Sequence, residues 1–305
     1  MCGPRDISQR EHQRMSYIAF PPPSGPLLVP TSSRRAMRAG VSLWSASRLR
    51  ARVVQRAFWL VGGVLGPGLV PGRRHRTVQA LPAEIERDHS AVWSTWFGEF
   101  DERAIYRPSQ ADRTGVALLL LREGTPRGFV KVRPAWDAGL EQRATSRLGG
   151  AETFTAPMVV GLHDAGGWTS LGFTALPGRI HSPRVSAPIR AISEEVSDLV
   201  QLDSPCPPGW RPMHGDMGPW NLRRMPGVGP VLFDWENVGP APPYADVAFY
   251  LAAAKAVGLS VHGDVDLSEP AVTFWRNRIS QRVGSGRRDA LLARDMLQAL
   301  VRLGQ

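Results

Sequence analysis

His214-Gly215-Asp216-Met217-Gly218-Pro219-Trp220-Asn221, with Phe233-Asp234-Trp235-Glu236 further along, sets an aspartate, an asparagine five positions later and a second aspartate thirteen positions after that. Phosphoryl transfer from ATP uses groups of this kind. One carboxylate orients the attacking hydroxyl and accepts its proton; an amide oxygen and another carboxylate hold the metal ions that bridge the nucleotide phosphates. Met217–Trp220 reads as a tight loop with Gly218-Pro219 as its turn residues, which brings Asp216 and Asn221 to one mouth. Val228–Asn237 reads as a hairpin strand ending in Asp234, with the apolar run Val231–Phe233 short enough for a buried strand. A strand end is a rigid place from which to present a metal-binding carboxylate.

Together these residues resemble the catalytic-loop motif and metal-binding aspartate of the aminoglycoside phosphotransferase / choline kinase family, small-molecule kinases that share the protein-kinase fold. Gly239-Pro-Ala-Pro-Pro-Tyr-Ala-Asp246 is similar to the family's stretch after the metal aspartate, where a later aspartate opens a helix. The resemblance implies an α+β, protein-kinase-like fold of two lobes: a small antiparallel-sheet N-lobe and a mainly helical C-lobe. It implies Asp216 as the catalytic aspartate, Asn221 and Asp234 as Mg²⁺ ligands, His214 as a brace of the catalytic loop, and Asp246 as structural or near the substrate. ATP and Mg²⁺ are the implied cofactors. A hydroxyl on a small molecule, such as a sugar, an amino alcohol or an aminoglycoside-like compound, is the implied acceptor.

The lysines are Lys131 and Lys255, against thirty-five arginines. Arginine replaces lysine freely on a solvated face but not where a compact ammonium must fit. Lys131 lies in the alternating run Arg127-Gly-Phe-Val-Lys-Val-Arg133. That run follows Val116–Leu121 across the turn Glu123-Gly-Thr-Pro126, so the two read as a hairpin. A kinase N-lobe carries its phosphate-binding lysine on the third strand of such a sheet, and Lys131 precedes Asp216 by eighty-five residues, as in the family. Its expected carboxylate partner is Glu141, on a helix over 138–148 capped by Asp137, with Leu140, Ala144 and Leu148 on the apolar face. The competing role for Glu141 is a surface pair with an arginine. Lys255 reads as the polar face of a helix. No glycine-rich repeat precedes the hairpin. Tyr106–Gly115 is the candidate nucleotide-covering loop, with Ser109, Thr114 and Gly115 offering hydroxyl or backbone N–H donors.

The net charge of +10 is unevenly placed: residues 1–80 hold thirteen arginines and two acids, so the rest of the chain is near neutral. The two parts need separate readings. Residues 1–30, with Pro21-Pro-Pro-Ser-Gly-Pro26 and no periodicity, are expected to be disordered. Residues 31–80 read as a basic helical extension opened by Ser32 or Ser33; 81–178 as the kinase-like N-lobe; 179–305 as the C-lobe. The extension has two main readings. One is a helical cap on the N-lobe. The other is an interfacial segment over residues 33–76, with Trp44, Phe58 and Trp59 entering the headgroups of an anionic membrane. Nucleic-acid binding is not expected, because no recognition module is present. Ala57–Val70 is too short and too rich in Gly and Pro to span a bilayer, and too far from Met1 for a signal peptide. Cys2 and Cys206 form no disulfide framework, which fits a cytoplasmic protein, with membrane contact at most peripheral.

In the C-terminal half, Trp168–Ala175 reads as the last N-lobe strand, and Leu176-Pro-Gly178 resembles the hinge that follows it in the family. Helices are expected after Ser186, with Ile189, Ile192, Val196, Leu199 and Val200 on one face; from Tyr244, with Val247, Tyr250, Leu251 and Ala254 inward; and over Asp289–Leu303. Asp264, Asp266 and Glu269 are either contacts for a cationic acceptor or a solvated turn. Glu236 and Asn237, beside the metal aspartate, are either better-placed contacts for such an acceptor or support for the metal site. The alternative function is a nucleotide-binding pseudokinase serving as a membrane-surface or assembly adaptor. A metal-dependent hydrolase is disfavoured because no histidine cluster accompanies the carboxylates.

Overall fold

The computed structural model describes residues 16–22, 25–75, 78–108, 114–183, 188–260, 267–283 and 289–303. They divide into two compact units. The first comprises residues up to Trp44, Val53–Trp136 and Val160–Ile180; the second comprises Ser45–Arg52, Asp137–Val159 and the chain from His181 on.

The first unit is built on strands β1 (Tyr17–Phe20), β2 (Leu27–Pro30), β3 (Arg74–His75), β4 (Glu102–Tyr106), β5 (Val116–Arg122), β6 (Thr125–Pro134), β7 (Val159–Ala165) and β8 (Trp168–Thr174). They form one eight-stranded sheet in the order β3-β1-β2-β4-β5-β6-β8-β7. The expected hairpin is β5–β6, whose register sets Lys131 opposite Ala117, and β6 in turn sets it opposite Leu171 on β8. Among the described residues of this part of the chain are three α-helices: α1 (Arg34–Ser42), α2 (Leu49–Val64) and α3 (Ala83–Phe97). Ser33 caps α1, its Oγ accepting from the Ala36 N–H at 3.0 Å, which satisfies one of the free donors of the first turn.

Because successive strand residues face opposite ways, β1, β2, β4 and β5 each feed two cores. Ile18, Phe20, Leu27, Val29, Leu119 and Leu121 pack with Met37 of α1 and Phe58 of α2. Tyr17, Ala19, Leu28, Leu118, Leu120, Val130 and Val132 pack with Ile85 and Trp93 of α3. These four strands are therefore buried on both sides, and this explains a correction to the sequence reading. Residues 17–20 and 27–30 are not disordered: they are strands, fully buried along their length. Four apolar residues with both faces covered leave no polar alternation to betray a strand. The basic extension is likewise not a separate segment, since β1–β3, α1 and most of α2 belong to the sheet unit.

The second unit contains α4 (Gly139–Thr145), β9 (Ser182–Pro183), α5 (Ile189–Leu199), β10 (Arg211–Met213), β11 (Leu222–Met225), β12 (Gly229–Leu232), β13 (Gly239–Ala241), α6 (Ala245–Ala256), α7 (Glu269–Val283) and α8 (Asp289–Leu303). Small sheets β12-β11-β9 and β10-β13 flank the motif residues, 214–221 lying between β10 and β11 and 233–236 between β12 and β13. Helix α6 is buried nearly all round. Val247, Tyr250 and Ala254 enter a core with Ile189, Ile192 and Val196 of α5, together with Trp235. Its Ala245, Ala248, Phe249 and Ala252 enter a second core with Trp275 of α7 and Met296 of α8. This α+β arrangement, antiparallel sheet in one unit and mainly helices in the other, is the fold class implied by the motifs.

Candidate active site

Met213 ends β10, and the catalytic-loop motif begins at the next residue. The loop closes on itself: Gly218 N–H donates to the Asp216 carbonyl at 2.7 Å, and Asn221 N–H and Leu222 N–H both donate to the Gly218 carbonyl, at 3.0 and 2.8 Å. Gly215 sits at φ +80°, and a Cβ there would collide with the Asn237 carbonyl. Only glycine meets both demands without strain. At Gly218 the space a side chain would take is filled by the Trp220 indole.

His214 is fully buried. Its Nδ1 accepts the Asp216 N–H at 3.2 Å, and its Nε2 lies 2.8 Å from the Phe233 carbonyl. That network places the ring proton on Nε2. Phe233 N–H donates to the Asn221 carbonyl at 3.1 Å. The catalytic loop and the residue before Asp234 are thus joined at two points, and the strand end is held beside the loop.

Asp246 serves the same loop from below. It is buried at the start of α6, and its two oxygens accept the backbone N–H groups of His214 (2.7 Å) and Gly215 (3.0 Å). Burial raises its carboxyl from the ordinary 3.8 to about 6, against the two N–H groups, which lower it. Of the two roles left open for Asp246, the geometry gives the structural one.

The Asp216 carboxylate is half-buried. Trp220 Nε1–H is shared between its two oxygens at 3.2 Å each, and Asn221 Nδ2 donates to Oδ2 at 3.0 Å and to the Asp216 carbonyl at 2.9 Å. With its NH₂ committed to Asp216, Asn221 keeps its amide oxygen as the acceptor group for a cation.

Asp234 adopts φ +63°, in the left-handed region that a non-glycine residue rarely enters. Strain of this kind persists only where the surroundings impose it. Trp235, next in the chain, is buried between Phe154, stacked at 5.9 Å, and His214, edge-on at 4.6 Å. Carboxylate oxygens of Asp234, Glu236 and the buried Glu141 all lie within 4.8 Å of one another, and Glu141 Oε1 accepts the Trp235 N–H at 3.2 Å. An all-oxygen donor set suits a hard divalent cation such as Mg²⁺. The structure gathers the Glu141 carboxylate with those of Asp234 and Glu236, a grouping that no sequence pattern announced.

Lys131 belongs to the sheet unit, on β6, with Nζ 5.7 Å from the Phe173 ring centroid. Gly115, at the start of β5, has φ +107°. Ser109, Asp264 and Asp266 lie outside the described residues.

Sequence reasoning missed Arg223 altogether. This fully buried guanidinium makes five contacts: Nε to His181 Nδ1 (2.8 Å), Nη1 to the Pro219 carbonyl (2.7 Å) and Ser47 Oγ (3.4 Å), Nη2 to the carbonyls of Ala46 (2.9 Å) and His181 (3.0 Å). Burial first, and the charge of Arg52 second, lower its pKa to about 9, so it is charged at neutral pH. It pins the catalytic loop at Pro219 to β9 and to residues 46–47. In the run Asn221-Leu-Arg-Arg-Met225 nothing distinguishes the buried arginine from its exposed neighbour Arg224.

Residues 187–288, about a third of the chain, match the phosphotransferase enzyme family. No curated protein matches the sequence. Among solved structures, the chain is similar to a spectinomycin phosphotransferase in complex with ADP and spectinomycin, at 10% identity over 74% of this chain and 98% of that one, with a TM-score of 0.49. It is also similar to an amicoumacin kinase in complex with AMP-PNP and Ca²⁺, at 10% identity over 73% and 96%, TM-score 0.42. A microcompartment-associated aminopropanol kinase is similar at 11% identity over 72% and 86%, TM-score 0.37. The family match bears out the resemblance read from the motifs.

Proposed function

Taking as premise a chain that carries the phosphotransferase-family segment over residues 187–288, we propose that it transfers the γ-phosphoryl group of ATP, with Mg²⁺, to a hydroxyl of a small molecule. The observation that carries this reading is the Asp216 carboxylate, held by Trp220 and Asn221 on a loop that His214, Asp246 and Arg223 lock in place. Catalysis of phosphoryl transfer is mostly positioning and charge neutralisation, and such a loop supplies positioning.

Asp216 orients the acceptor hydroxyl and takes its proton as the new O–P bond forms and the bond to the β-phosphate oxygen breaks. Asn221 Oδ1 and Asp234 are the assigned metal ligands, with Glu236 and Glu141 close enough to Asp234 to add oxygen donors. When bound, ATP would supply the electrophilic phosphorus and Mg²⁺ would neutralise the phosphate charge. Lys131, Ser109 and Gly115 are assigned to the nucleotide phosphates. The acceptor class is a sugar, an amino alcohol or an aminoglycoside-like compound.

The test is transfer of label from γ-labelled ATP to a panel of such acceptors. We expect one class to be labelled, and Asp216→Asn to lower kcat by about a thousandfold, as loss of a general base does, with nucleotide affinity kept. Nucleotide binding with no transfer to any acceptor would contradict this reading and favour the adaptor alternative.

A further inference from the structure

Helix α2 has two apolar faces. One holds the buried Gln55, Phe58 and Gly62. On the opposite side Val53, Ala57, Leu60 and Val64 fall at i, i+4, i+7 and i+11, a single stripe about 16 Å long. It is open to solvent: Val53 is 58%, Leu60 56% and Val64 51% exposed, and the turn beyond extends it with Leu65 at 56% and Leu69 at 67%. Exposed aliphatic side chains are ordinary when scattered; gathered on one stripe they mark an interaction surface.

The charges around the stripe say what it meets. Residues 12–83 contain eleven arginines and not one Asp or Glu. Arg56 is exposed on the same helix. Where the stripe passes into the turn, Arg34 Nε lies 3.7 Å from the position a Cβ on Gly66 would take. Arg74 Nη2 donates to the carbonyls of Pro67 (2.9 Å) and Gly68 (3.0 Å). Arginines from three elements therefore lie on the helix that carries the stripe and at the turn that extends it. No helix among the described residues is long and apolar enough to cross a membrane.

We propose that α2 and the turn after it dock the protein on an anionic lipid surface, the aliphatic stripe entering the headgroup boundary and the arginines meeting lipid phosphates. A second copy of the chain is disfavoured, because a symmetric contact would set arginine against arginine with no acid in the segment to pair them. RNA is disfavoured, because its phosphates leave Leu60, Val64 and Leu69 nothing to bury against. An amphipathic helix with aliphatic groups on one side and arginines at its flanks satisfies both parts of the pattern at a membrane interface.

The experiment is co-sedimentation of the full chain with vesicles of phosphatidylcholine alone and of phosphatidylcholine carrying phosphatidylserine, at low and high salt, without nucleotide. The wild type is expected to bind the phosphatidylserine vesicles and to leave them as salt rises. Leu60→Glu/Val64→Glu, whose side chains are exposed and whose melting temperature should match the wild type, is expected to abolish binding to either vesicle. Arg34→Ser/Arg56→Ser is expected to weaken binding to the anionic vesicles by roughly thirtyfold, about fivefold per arginine near such a surface. Wild-type protein that ignores phosphatidylserine vesicles, or binds them as well with Glu at 60 and 64, overturns the proposal. So does a dimer in sedimentation velocity that the Glu variant dissolves, or retention by RNA that it leaves intact. None of these readouts depends on phosphotransfer, so the two readings fail separately.

Discussion

Trp220 is the residue whose contribution is most specific to this site. Its indole N–H spans both oxygens of Asp216, and its ring meets Phe249 edge-on at 6.0 Å. Trp220→Phe keeps an aromatic ring and removes one donor. A single hydrogen bond of this kind corresponds to roughly two- to tenfold in rate. Steady-state kinetics should therefore show kcat down by that factor with KM for ATP unchanged; an unaltered kcat would mean that the indole only fills space. Arg223 acts differently, because it touches only the backbone of the loop, at Pro219, and never Asp216 itself. Arg223→Met leaves the carbonyls of Pro219, Ala46 and His181 without their donor, at a cost of about 3 kcal/mol. Chemical denaturation would read it, and a loss below 1 kcal/mol would contradict the clamp. The role of Trp220 was half legible in the sequence, since it sits inside the motif. Arg223 was not legible, because its burial depends on β9 and residues 46–47, far apart in the chain.

At the scale of elements, two joints hold the architecture. The first is β1 against α2. Phe20, fully buried, meets Trp44 at 4.9 Å and Phe58 at 4.7 Å. Phe20→Ala should cost about 3–5 kcal/mol as a core truncation, whereas the same change in a disordered leader would cost nothing. The strands 17–20 and 27–30 pair with each other as near neighbours in sequence, yet they were illegible because both their faces are covered and their outer partners, β3 and β4, lie tens of residues away. The hairpin β5–β6 was legible because an apolar run and an alternating run flank a recognisable turn at Glu123–Pro126. The second joint is α6 against the catalytic loop through Asp246. Its folded pKa of about 6 lies above its ordinary 3.8, so between those values the folded state holds a proton that the unfolded state has lost. Its contribution to stability must then fall as pH rises from about 4 to about 6 and stay flat above. Thermal melts of wild type and Asp246→Asn across that range should show the slope reduced in the variant. Equal slopes would mean that Asp246 ionises as an ordinary aspartate.

Across the whole molecule, the chemistry was more legible than the scaffold. Asp216, Asn221 and Asp234 stand out because a loop, a hairpin and a strand end are local structures whose spacing is written into adjacent residues. The convergence of Glu141 with Asp234 and Glu236 is a tertiary event, set by α4 delivering a buried carboxylate to the Trp235 N–H. The charge asymmetry was visible at once, but its meaning was not, since only the fold shows that one apolar face of α2 is buried and the other is open. The central claim remains that Asp216, Asn221 and Asp234 form a metal-dependent nucleotide site. Its most direct test is a thermal-shift titration of the full chain with ATP, with and without MgCl₂, beside Asp234→Ala. Ligand that binds only the folded state raises the melting temperature by mass action. We predict a rise that needs magnesium and is lost in Asp234→Ala; no rise at millimolar ATP, or the same rise without metal and in the variant, would contradict the assignment.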